Sequence, residues 1–303
     1  MRRRDFLRAI AGSALAAALL PEESAARFLR PADVPADLAV ARNGEPAQLV
    51  QAAVEALGGM SRFVSRGDIV VVKPNIGWDR LPEQAANTNP EVVAEVVRLC
   101  YQAGAKKVLV FDHTSNRAQR CYLRSGIQAA AKEAGAEVSF VHEQKFRNVE
   151  IREGVELKSW PFYKDVLEAD VLINVPIAKH HSMARLTVGL KNIMGVIGGD
   201  RGAIHNHFAR KIVDLNTVVK PKLTLVDGYR ILRANGPQGG SPRDVQLLKT
   251  VVASTDRVAA DAYAATWFGL GPQDLDYLVE AHRRGLGEID FRKLKIREID
   301  LGS

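Results

Sequence analysis

The chain has 303 residues, 47% of them hydrophobic and 25% charged, with two cysteines and a formal charge of +7. That composition suits a globular protein with one sizeable α/β core and excludes a collagenous, disulfide-rich or wholly disordered chain. The charge favours anionic partners, but no dense Lys/Arg run is interleaved with aromatics, so small anions are expected and nucleic acid is not.

Arg3-Arg4-Asp5-Phe6-Leu7-Arg8 precedes an apolar, alanine-rich stretch over 9–20, too short to span a bilayer as a stable helix. It resembles a twin-arginine export signal, with Arg2 where Ser or Thr is usual and a cleavage site after Ala26. The resemblance implies the twin-arginine translocase as a partner during export, a periplasmic or other extracytoplasmic location, and no stable membrane span after cleavage. The alternative is an uncleaved amphipathic helix. Residues 1–26 are thus expected to be a signal peptide, 27–36 a Pro/Ala-rich linker, and 37–303 a single α/β domain.

Downstream, 38–41 reads as a short strand and 46–57 as a helix closed by Gly58-Gly59. The apolar run 69–72 reads as a buried strand ended by Lys73-Pro74, because Pro donates nothing to a sheet ladder. Thr88-Asn89-Pro90-Glu91 starts a helix that stops at Gly104, and strand 107–111 follows. A helix over 118–134 kinked at Gly126, a strand over 137–141, a polar hairpin within 146–160, a helix over 162–169 and a strand over 171–175 come next. From 176 to 202 the pattern turns irregular and glycine-bearing, which suits a binding loop. Helix 208–219, strand 223–226, a tight loop at 236–240, strand 250–253 and helices 257–268 and 274–283 complete the reading. The expected fold class is α/β: a mostly parallel sheet flanked by helices, with glycine-bearing loops at the strand C-terminal ends.

Open parallel sheets bind ligands beyond the carboxyl ends of their strands, at topological switch points. Lys73, Asn75, Asp112, His113, Lys179, His180, His181 and Asp227 follow apolar runs and fall there. Lys179, His181, Asp112 and Asp227 are read as catalytic, since imidazole, carboxylate and desolvated lysine all move protons. Lys73, Lys191, Asn75, Asn192 and Gly195 are read as substrate-binding, the lysines neutralising a carboxylate or phosphate and the asparagines adding directional hydrogen bonds. His205 and His207, two apart, would share one face of an extended segment and are read as ligands of a divalent metal. The structural alternatives are snorkelling lysines, helix-capping aspartates and ordinary hydrogen-bonding histidines.

The glycine loops 195–207 and 235–244 have neither dinucleotide-fingerprint nor P-loop spacing, so NAD is not expected. Cys100 and Cys121 are too few for a four-thiolate site, so no iron–sulfur cluster is expected. Cys100 shares a helix stripe with Val93, Val96 and Val97 and reads as a buried thiol; a disulfide to Cys121 stays open.

The segments VVVKPN, TNPEVV, AGAKKVLVFD, NVPIAKHH, LTVGLKNIMGVIGG, LVDG and GPQGG together resemble the domain-of-unknown-function 362 family of bacteria and archaea, from about residue 66 to 287. The resemblance marks Lys73, Pro74, Asn75, Asp112, Lys179, His181, Lys191, Asn192, Gly195, His205, Asp227 and Asp261 as motif positions and assigns them no catalytic role. Some relatives carry ferredoxin-type cysteine clusters, which this chain lacks. The expected function is an exported enzyme acting on a small anionic substrate, with metal assistance as an option. The alternatives are a non-catalytic anion- or metal-binding protein and an accessory protein of a redox system.

Overall fold

Uninterrupted apolar runs become strands covered on both faces. The computed structural model describes residues 35–302, so the expected signal peptide and nearly all of the linker lie outside the described residues. The strands are β1 (Leu38–Arg42), β2 (Ile69–Pro74), β3 (Lys107–Val110), β4 (Glu137–Val138), β5 (Phe146–Glu150), β6 (Ser159–Tyr163), β7 (Val171–Val175), β8 (Ile177–His181), β9 (Arg185–Thr187), β10 (Leu223–Leu232), β11 (Val245–Ser254) and β12 (Ile296–Asp300). The helices are α1 (Pro46–Ala56), α2 (Pro90–Gln102), α3 (Ala118–Arg124), α4 (Ile127–Glu133), α5 (Lys164–Glu168), α6 (Gly189–Asn192), α7 (Phe208–Val218), α8 (Arg257–Thr266) and α9 (Asp276–Arg283).

The main sheet runs β12-β1-β11-β10-β7-β2-β3-β4, with β8 on β10 and β9 on β8. Its pairings are parallel except for β11, antiparallel to both β1 and β10, and the β8–β9 hairpin. Alternate residues of one strand serve opposite cores. Val70 and Val72 pack with α1, α2 and α4, whereas Val71 belongs to the core built with α7, α8 and α9. The expected α/β class with a mostly parallel sheet flanked by helices is what the chain forms.

Local chemistry sets the element ends. Asn89 accepts a hydrogen bond from the Glu91 backbone N–H and starts α2, with Pro90 in its first turn. Gly126, at a φ of 72°, divides the expected 118–134 helix into α3 and α4.

Three readings are corrected. Residues 176–202 are ordered and mostly buried as β8, β9, α6 and a following 3₁₀ turn; the polar string Lys179-His180-His181 disguised a strand. β2 continues through Lys73 and Pro74, which pair with Asn174 and Val175. β10 runs on to Leu232, well past Val226. Cys100 and Cys121 are separate buried free thiols, each pushed up by burial, to about 12 and about 11. Among the described residues, no helix is long and apolar enough to cross a membrane.

Candidate functional site: a cationic cavity at the strand switch point

After β2 the chain adds β3 and β4 on one side, then returns to place β7 on the other, so the order reverses between β2 and β7. Lys73 on β2 pairs in register with Asn174 on β7 at this crevice. Beside it a cavity of about 340 Å³ is lined by Lys73, Asn75, Asp112, His113, Lys179, His181, Lys191, Asn192, Gly195, Arg201 and His205, among others. The three expected lysines are therefore gathered at one place.

Their hydrogen bonds differ, and that separates their roles. Lys73 is fully buried; its Nζ donates to Pro74 O and Asn192 Oδ1, both at 2.8 Å, and is ion-paired with Asp112 Oδ1 at 2.9 Å. Asp112 Oδ1 has charge contact with Lys73 but no well-directed hydrogen bond, while Oδ2 accepts the Ile76 backbone N–H at 2.6 Å. Two hydrogen-bonded oxygens and the ion-paired carboxylate enclose the Lys73 ammonium. Burial lowers the Lys73 pKa and the paired Asp112 opposes that, so Lys73 is part of the cavity wall. Gly195 closes over this pair: an added Cβ would lie 1.7 Å from Asp112 Oδ1 and 2.5 Å from Lys73 Nζ.

Asn192 is the hub. Its Oδ1 accepts from Lys73 Nζ at 2.8 Å and Asn75 Nδ2 at 3.0 Å, and its Nδ2 donates to Asn174 Oδ1 at 2.9 Å and Lys73 O at 3.2 Å. Asn75 Oδ1 in turn accepts from Lys179 Nζ at 2.9 Å, and Ala86 O accepts from the same nitrogen at 2.5 Å. One N–H of Lys179 is left for the cavity. Burial, with Lys191 and Lys73 nearby, pushes Lys179 down to about 7 despite Asp112.

Lys191 has no oxygen acceptor among the described residues. Its Nζ lies 3.2 Å from His205 Nε2, 3.3 Å from Met194 Sδ and 5.4 Å from the centre of the Phe208 ring. Burial, then Arg201, pushes it down to about 7. Lys191 and Asn192 ride on the short α6, whose first backbone N–H groups, of Gly189 and Leu190, donate to the Asp261 carboxylate at 2.7 and 2.9 Å. Asp261, on α8, is thus a positioning residue outside the cavity; burial pushes it up to about 7 against those two donors.

The imidazoles have assigned tautomers. His181 Nδ1 accepts the backbone N–H groups of Met183 and Ala184, each at 3.2 Å, so its proton sits on Nε2. Burial, followed by Lys191, pushes His181 down to about 2, which makes it a neutral donor across ordinary pH. His205 stacks on it at 5.4 Å; its Nδ1 donates to Gly202 O at 3.2 Å, so Nε2 presents a lone pair to Lys191. His113 Nδ1 donates to Ile197 O at 2.8 Å, leaving Nε2 as an acceptor, and burial lowers its pKa.

Arg201 had no part in the sequence reading. It donates to the carbonyls of His113 and Thr114 at 2.6 and 2.7 Å, and its lone basic side chain between glycines in GGDRG was the available signal.

Two expected site residues fall elsewhere. Asp227 is buried within β10, where it accepts the backbone N–H groups of Asn89 at 2.7 Å and Tyr229 at 2.9 Å. It buttresses the start of α2 and does not line the cavity. His207, at a φ of 55°, turns toward Glu156 Oε2 at 3.2 Å and lines a second hollow instead. The expected His205/His207 metal pair is therefore split, and among the described residues no three His, Cys, Asp or Glu side chains gather as a metal site. His180 also lies off the cavity, its Nδ1 accepting from Gly236 N–H at 3.1 Å.

Fold and site together define an open α/β protein with a basic cavity at its switch point. The chain belongs to the family described as a domain of unknown function (DUF362), whose model matches residues 70–266. It is 29% identical over 241 residues to a thylakoid-associated protein of Synechocystis sp., covering 77% of this chain and 73% of that one. Among solved structures it is similar to the lactate racemase apoprotein from Thermoanaerobacterium thermosaccharolyticum, at 12% identity and a TM-score of 0.46, covering 79% of this chain. A protein from Thermotoga maritima gives 12% identity and a TM-score of 0.42 over 75% of this chain. The chain spans 58% and 60% of those two structures.

The contrast between the lysines makes a stability prediction. Lys73→Met strands the buried Asp112 carboxylate and is expected to cost about 3–5 kcal/mol. Lys191→Met removes a desolvated cation with no carboxylate partner and is expected to be neutral or stabilising by roughly 1 kcal/mol. Urea denaturation of both variants checks the contrast; equal losses would contradict it.

Proposed function

We infer that this protein is an enzyme acting on a small anionic substrate, carboxylate or phosphate, bound between Lys179, Lys191 and Arg201. One observation carries the reading: the cavity is lined by three lysines and an arginine, and its one lining carboxylate, Asp112, is committed to Lys73. Charge left uncompensated in a desolvated cleft favours an anion there. A volume of about 340 Å³ restricts the occupant to a small molecule.

The remaining groups divide between donors and bases. His181 Nε2–H and the free Lys179 N–H stabilise negative charge on the bound molecule, as preorganised donors do. His205 Nε2 and His113 Nε2 are the lone pairs available to take a proton. Catalytic use of His181 is therefore as a hydrogen-bond donor, and Asp112 sets the charge of Lys73 instead of moving protons.

Sulfate, whose charge is constant over the range, is the simplest probe. Calorimetric affinity is expected to be highest below pH 7. Above it, Lys179 and Lys191 deprotonate, and affinity falls by about tenfold per pH unit for each lysine that must be charged. Affinity unchanged from pH 6 to pH 9 would contradict the assignment. Turnover in a metabolite mixture followed by mass spectrometry separates catalysis from capture without reaction.

The arginine pair and apolar stretch of residues 1–20 support export by the twin-arginine route as part of the same proposal. Replacing Arg3 and Arg4 together by Lys is expected to hold the protein inside the inner membrane; unchanged fractionation would contradict export by that route.

A further inference from the structure

Lys191 is unlike the other cavity lysines in what surrounds its nitrogen. Lys73 and Lys179 each donate to two oxygens, which orient their N–H groups. Among the described residues, Lys191 meets the His205 imidazole lone pair, the Met194 thioether and the Phe208 ring face, with no oxygen acceptor. Lys191 and His205 both line the cavity, and the base is oriented by a third group, since Gly202 O fixes the His205 tautomer. Nucleophile, base and orienting group in series is the arrangement expected of covalent catalysis by an activated side chain.

We propose that Lys191 is a nucleophile that forms an imine with a small 2-oxo acid whose carboxylate is held by Lys179 and Arg201. The inference rests on the anion-binding reading of the same cavity and names the substrate class for it.

The step balances within the site. His205 Nε2 accepts a proton from the Lys191 ammonium; the freed amine forms a C–N bond to the carbonyl carbon as the C=O π pair moves to oxygen, which takes that proton back from the His205 imidazolium and becomes a hydroxyl. Neutral His205 then removes a proton from the carbinolamine nitrogen and delivers it to the hydroxyl, and water leaves as the protonated C=N bond forms. No oxidant or reductant is consumed. The depressed ammonium pKa of Lys191, near 7, supplies amine at neutral pH. His181 Nε2–H is available to polarise the carbonyl oxygen. A cationic neighbour that lowers a buried amine is a recognised means of making such a lysine reactive.

The experiment traps the imine. The purified protein is incubated with pyruvate or glyoxylate and sodium borohydride, digested, and mapped by mass spectrometry. Reduction of the imine leaves a net addition of the acid less one oxygen atom. The expected result is that adduct on Lys191, suppressed by sulfate, absent from Lys191→Met, and at least tenfold less with neutral acetone. In parallel, sulfate and the 2-oxo acids are scored for raising the melting temperature. Thermal stabilisation without an adduct on Lys191, or an adduct on Lys179 instead, overturns the nucleophile while leaving the anion site standing. Neither stabilisation nor an adduct overturns both.

Discussion

Two ammonium groups, those of Lys179 and Lys191, are removed from water with no ion-paired carboxylate among the described residues, and the construction around the cavity follows from supporting that cost. An isolated buried charge is expensive enough that the group's pKa shifts to relieve it. Lys179 and Lys191 shift toward about 7, whereas Asp112, the one carboxylate lining the cavity, is drawn to Lys73 and offsets Lys179 only in part. The strain on protonation is what gives the cavity its preference for an anion and its store of neutral amine.

The fold supports this at the point where the strand order reverses. β2 and β7 deliver Lys73 and Asn174 side by side, and Asn192 bridges them with all of its side-chain hydrogen bonds made toward other site residues or the β2 backbone. Asp261 acts from α8 on the backbone of α6, which carries both Asn192 and Lys191, so the two are positioned together. Gly195 supplies the close approach that seals the Lys73–Asp112 pair. A buried polar network of this kind is stable only when its members are satisfied, and Asn192 meets that condition with four hydrogen bonds.

Much of this was legible in the chain, for physical reasons that also explain the failures. Lys73, Asp112 and Lys179 were found because unbroken apolar runs mark strands covered on both faces, and polar residues at their ends face the ligand crevice. Asp227 carries the same signature, LTLVDG, but β10 continues to Leu232, so the aspartate sits inside a strand and serves backbone N–H groups. Strand length beyond a polar residue is set by neighbours distant in sequence. His207 was paired with His205 on the assumption of an extended backbone; its left-handed φ turns it to Glu156. β12 escaped notice because an edge strand, partly exposed and with Arg297, Glu298 and Asp300 among its five residues, carries little apolar pattern.

The central claim is that two lysine side chains are desolvated without a counter-charge, and the most direct measurement is a pH titration of side-chain Nζ resonances by heteronuclear NMR in selectively labelled protein. Two lysines should titrate near pH 7, one signal vanishing in Lys179→Met and the other in Lys191→Met, with both moving upward when sulfate binds. If Lys179 and Lys191 instead titrate close to the ordinary lysine value of about 10.4, their charges are compensated and the account of the cavity is wrong.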